Sequence, residues 1–168
     1  MFHETETETE TRGPIPVTDA QLLKAGAQRR LATLREQRLI VLAVLAGRPE
    51  SEIAQLAGVS ESHVSRTVAA VKRQNGGTLR VAHESALDII DERDAGEIGT
   101  AAMMQALREL NYTDGHVVRV GGVATDAYER GSWDDIEYAF QRDRLSFEEY
   151  SELFSMQRAG QKAVTGDP

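Results

Sequence analysis

The sequence predicts an all-α chain: a basic helical unit followed by a small acidic unit of two helical hairpins. Three observations predict it. Apolar residues recur at three- and four-residue spacing through most of the chain. Helix start signals precede those runs at Thr18 or Asp19, Ser60, Ser85, Thr100, Ser132 and Ser146. Charge also divides by segment: residues 20–74 hold nine Lys and Arg against four acids, and residues 75–168 hold nine against eighteen, within a net charge of −8.

A chain of 168 residues suits one or two small domains. With no Cys there is no disulfide, thiolate nucleophile or thiolate zinc site. No 18-residue apolar run and no signal-peptide core is present, so the expectation is a cytoplasmic protein with no membrane contact.

Residues 1–13 repeat Glu-Thr with like charges at every second position and read as a disordered acidic tail, fenced by Pro14 and Pro16. A helix then runs to about Ala46, with Leu22, Leu23, Leu31, Leu34, Leu39, Ile40, Leu42, Ala43 and Leu45 as its apolar positions. Gly26 is expected to break or bend it. Lys24, Arg29, Arg30, Arg35 and Arg38 line its polar side, either as a solvated face or as a clamp on phosphates. Leu39 to Leu45 are expected to pack behind the helices that follow. Gly47-Arg48-Pro49 ends this element.

Residues 50–74 read as two short helices joined by a tight turn. Ile53, Ala54, Leu56 and Ala57 form the apolar side of the first. Gly58 stands where the turn needs positive φ, Val59 plugs the angle and Ser60 caps the second helix. That helix, about 61–74, carries Val64, Val68 and Val71 inward. Glu52-Ile53-Ala54, Leu56 to Ser60, Val64 and Val68 together resemble the helix-turn-helix of bacterial regulators, in the form shared by sigma-factor region 4, LuxR-like and MarR-like proteins. The likeness covers about 25 residues. It implies a DNA-binding domain over 14–78, with the 61–74 helix in the major groove.

By that resemblance Ser60, Ser62, Ser65 and Arg66 fall where such helices meet base edges or nearby phosphates. Arg66 suits bidentate contact with guanine O6 and N7. Ser60 and Ser62 suit phosphate at the helix N-terminus. Lys72 and Arg73 suit phosphate contact or the helix C-terminus, and Glu61 suits cytosine N4 or, better, a capping role. His63, Ala69 and Arg48 complete the expected DNA-facing set; His63 alone makes no metal site.

After Asn75-Gly76-Gly77 the balance turns acidic, and residues 79–160 read as a regulatory or oligomerisation unit. Its first hairpin pairs a helix over 85–93 (Leu87, Ile89 and Ile90 inward) with one over 100–110 (Met103, Met104, Leu107, Leu110). Its second pairs Ser132 to Asp143, with Asp135 completing a capping box, and a helix from Ser146 to about Gly160. A shift of 47 residues aligns Ile89 with Ile136, Ile98 with Leu145, Met103 with Tyr150 and Leu107 with Phe154. Residues 143–150 are similar to SHOCT modules, which implies association or regulation. Between the hairpins lie a short strand near Val117, Val118 and Val120 and a helix at 125–129. Residues 161–168 read as a flexible tail.

Three sharper readings fail on chemistry. Residues 91–102 place Asp first, Gly sixth and Ile eighth as in a calcium loop, but Arg93, Ala95 and Ala102 cannot ligate. Gly121-Gly122 lacks the Gly-Lys-Ser/Thr of a phosphate loop. Asp126, Glu129, Asp134, Asp135 and Glu137 read as solvated surface rather than an active site. The expectation is therefore a non-enzymatic, sequence-specific regulator that binds duplex DNA as a homodimer, without cofactor, metal or catalytic residues. The rival is an antitoxin or sigma-like adaptor whose acidic unit binds a protein partner.

Overall fold

The structure, a computed structural model, describes residues 16–112, 119–120, 123–124 and 131–165. Among the described residues the regular structure is helical apart from one two-residue ladder. Its helices are α1 (Asp19–Leu45), α2 (Glu50–Ala57), α3 (Glu61–Gln74), α4 (Ala86–Ala95), α5 (Thr100–Glu109), α6 (Asp134–Gln141) and α7 (Phe147–Thr165). The ladder joins β1 (Arg119–Val120) to β2 (Val123–Ala124), antiparallel, with Arg119 opposite Ala124. The strand expected at Val117 and Val118, the helix expected at 125–129, the tail expected at 1–13 and residues 166–168 lie outside the described residues, whereas 161–165, expected as part of a flexible tail, belong to α7.

α1 is one unbroken helix of 27 residues. Thr18 opens it through a capping box with Gln21, and Gly47, at φ +79°, follows its C-cap. The break expected at Gly26 does not occur. A mid-helix Gly costs only about 1 kcal/mol, and Ala27 and Leu31 beyond it are buried against Ala95 of α4.

α1 serves two partners on neighbouring faces. Ala27 and Leu31 meet α4, while Ile40, Ala43 and Val44 close a cluster with Ile53, Ala54, Val64, Val68, Val59 and Leu79. Leu22, Leu23, Leu39, Leu42 and Leu45 remain exposed, Leu39 at 66 %. That corrects the expected backing role of Leu39, Leu42 and Leu45. At about 100° per residue, Ile40 and Val44 share one face, from which Leu39 and Leu42 are turned well away. Leu56, expected on the apolar side of α2, is exposed for the same reason: Ile53 and Ala54 face the cluster.

The turn between α2 and α3 has the predicted chemistry. Gly58 sits in the left-handed region at φ +69°, and Val59 N–H donates to the Ala54 carbonyl at 3.0 Å. An added Cβ at Gly58 would meet nothing within 4 Å, so substitution costs backbone strain alone. Gly58→Val is expected to destabilise by about 1–2 kcal/mol, and Gly58→Asn by clearly less, because Asn visits this region more readily. Chemical denaturation of the two variants measures the difference; equal, negligible losses would contradict the turn.

A second core forms among α4, α5, α6 and α7, in which α4 packs on α5 and α6, and α7 packs on α5 and α6. Ile89, Ile90, Met103, Met104, Leu107, Ile136, Ala139, Leu145 and Leu153 fill it. The 47-residue offset holds beyond the apolar positions. Ser85 and Ser132 are both buried, as are Asp88 and Asp135. Each Asp takes a backbone N–H at the helix start, Asp88 from Ser85 at 3.0 Å and Asp135 from Gly131 at 2.9 Å. Gly96 (φ +79°) and Asp143 (φ +55°) both turn left-handed where the hairpins reverse. The hairpins thus share a buried Ser and a buried Asp at the helix start and a left-handed residue at the reversal, in equivalent positions.

Some helix ends differ from expectation. Gly99, not Thr100, is the N-cap of α5. At α6 the Ser132 hydroxyl accepts from Asp134 N–H at 3.1 Å, and Asp135 reaches back to Gly131 rather than to Ser132. Asp135 is therefore a buried capping group, not solvated surface as the acidic cluster implied; Asp126 and Glu129 lie outside the described residues. Ser146 and Glu149 form the expected box, after which α7 continues past Gly160 to Thr165.

Candidate nucleic-acid interface

α3 buries Val64, Val68 and Val71, which turns the opposite side to solvent. That side presents a row at three- and four-residue spacing: Ser62, Ser65 and Arg66, Ala69, then Lys72 and Arg73, all exposed. Ser60 and Glu61 are exposed at its start, and Arg48 precedes α2. The Ser60 Oγ accepts the His63 N–H at 3.1 Å, so Ser60 can offer an anion its hydroxyl proton but not its cap.

Besides Ser60, three of the expected DNA-facing residues have partners within the chain. His63, half-buried, lies 3.6 Å from Glu36 of α1. The Ser65 hydroxyl donates to Glu50 of α2. Arg48 pairs with Glu52 at 3.1 Å, one helical turn on. Glu36 and Glu50 come from other helices, and nothing in local periodicity signals their approach. They make the N-terminal half of α3 the less cationic end. Arg66, Lys72 and Arg73 have no carboxylate partner among the described residues.

The cations of α1 behave differently. Arg30 grips Asp91 of α4 through Nε at 3.0–3.1 Å and Nη2 at 2.7 Å. Arg35 holds Glu97 with both Nη atoms and lies 3.5 Å from Glu92. Arg38 reaches Asp88 at 3.3 Å. Asp91 also receives Arg144, which binds Asp94 at 2.8 Å. This corrects the phosphate clamp for three of the five α1 cations: they fasten α1 to the acidic helix instead.

These pairs move the titrations they join. The hydrogen bonds that Arg30 donates to Asp91 push its pKa up, and those that Arg35 donates to Glu97 do the same for Arg35. The Arg35 hydrogen bonds hold Glu97 below its ordinary value, whereas burial raises Glu92. The Glu97 contribution is thus present above the ordinary glutamate range and lost as pH falls through its lowered value. Glu92, raised by burial, acts in the opposite sense.

Among the described residues, no three His, Asp or Glu side chains are placed to hold a metal ion, and no helix is long and apolar enough to cross a membrane. The chain matches no protein-family model, no curated protein and no solved structure.

Proposed function

We propose that the chain is a transcriptional regulator that binds duplex DNA in a sequence-specific way, laying α3 in the major groove. One observation carries this reading: the outward row of α3 keeps three cations without carboxylate partners, whereas most other guanidiniums among the described residues are paired internally. Arg66 sits mid-helix, where a side chain reaches base edges, with Ser62 and Ser65 beside it. Lys72 and Arg73 at the far end hold phosphates. A homodimer fits, since one short helix reads few base pairs. A cytoplasmic setting belongs to the same proposal.

The adaptor reading draws less support. Its acidic unit engages Asp88, Asp91, Glu92, Asp94, Glu97, Glu149 and Glu152 with arginines of its own chain, which removes much of the charge a basic partner would need.

Salt dependence tests the electrostatics. Three phosphates neutralised by α3 give a log–log slope of about −3 per protomer, against about −5 if Arg30, Arg35 and Arg38 also took part. Binding isotherms from low to moderate salt measure the slope. A flat response would contradict the interface, and a slope near −5 would contradict the pairing of α1.

A further inference from the structure

A groove of about 900 Å³ runs between α1, α4 and α6, within the size range of small-molecule sites. Leu31, Leu34, Leu87 and Tyr138 give it apolar walls, and Arg29 and Arg142 stand in its lining. The charges there do not balance. Asp91 is shared by Arg30 and Arg144, Asp94 by Arg93 and Arg144, and Asp88 is held by Arg38. Every carboxylate of the groove is thus engaged by guanidinium, while Arg29 and Arg142 have no carboxylate partner among the described residues. Arg142 lies over the Tyr138 ring, 5.0 Å from its centroid.

We propose that this groove binds a small amphipathic anion, an apolar or aromatic body bearing one carboxylate, sulfonate or phosphate group. The body lies against the leucines and Tyr138, and the anionic group meets Arg29 and Arg142, whose forks suit planar or tetrahedral oxyanions. A cation in this place would face two uncompensated guanidiniums. A neutral apolar molecule would leave them without a counter-charge. The site stands independently of any DNA contact, because α3 does not line it.

The test titrates the full chain with 8-anilinonaphthalene-1-sulfonate, an aromatic sulfonate that fluoresces on leaving water. Saturable binding of one probe per chain is expected. Arg29→Gln with Arg142→Gln is expected to weaken it about ten-fold or more, the scale of lost charge-assisted hydrogen bonds. Both residues are exposed, so the far-UV circular dichroism and thermal midpoint stay those of the parent. Leu42→Ser with Leu45→Ser, on the exposed face of α1, leaves binding unchanged. Absent or non-saturating fluorescence would overturn the proposal. So would equal binding by the arginine variant, or loss confined to the leucine variant.

Discussion

Asp91→Ala is expected to lower the thermal midpoint by about 5–10 °C. The carboxylate is 9 % exposed and binds two guanidiniums, Arg30 and Arg144. Removing one partner of a buried ion pair costs about 3–5 kcal/mol. Arg30 is half-exposed and recovers hydration, and Arg144 retains Asp94, so about 2–3 kcal/mol is expected here. Because Arg30 is the group left unpaired, Arg30→Met in the Asp91→Ala background is expected to restore part of the loss. Calorimetry on the single and double variants checks both values. A midpoint within 1–2 °C of the parent (about 0.5 kcal/mol or less) would mean that the contacts of Asp91 with Arg30 and Arg144 add nothing measurable to the hold between α1 and α4.

Arg66→Ala is expected to change recognition and leave the fold alone. The side chain is exposed and has no partner among the described residues, so stability stays within about 0.5 kcal/mol. A bidentate contact to one base is worth about 1–3 kcal/mol of discrimination, roughly 5- to 150-fold in affinity ratio. Affinities for the preferred duplex and for its single-pair substitutions reveal that loss at one position. Lys72→Ala, in contrast, is expected to weaken all duplexes alike and to reduce the salt slope by about 1. An Arg66→Ala protein with unaltered preference would remove that residue from the interface.

Local chemistry was the legible part of this chain. Gly58 and Ser60 mark the α2–α3 turn because positive φ and an N-cap each demand particular residue types, and α3 spans Glu61–Gln74 as its capping and Val spacing predict. The doubled hairpin was visible in its apolar spacing, and the structure adds polar positions at the same offset. Ser85 and Ser132, Asp88 and Asp135, and Gly96 and Asp143 recur because each position has a backbone requirement of its own.

What escaped is non-local. Arg30 and Asp91 are 61 residues apart and Arg35 and Glu97 are 62 apart, so no window of helical periodicity contains both partners. A segregated charge pattern has two physical outcomes, attraction to an outside polyanion or attraction between the segments themselves. α1 takes the second and α3 keeps the charge needed for the first. The leucines of α1 misled because a helix with two partners has two buried faces. Apolar spacing alone does not say which leucines fall between them.

That α1 joins both cores also decides how DNA binding should be measured. Cutting the chain after residue 78 would expose Ala27 and Leu31 and strip Arg30, Arg35 and Arg38 of their partners. Selection from a random duplex DNA library with the full chain tests the central claim most directly. The account predicts one enriched motif, an inverted repeat if the chain acts as a dimer, with a preference at one base pair that disappears in Arg66→Ala. No enrichment from the full chain at low salt would contradict DNA reading by α3.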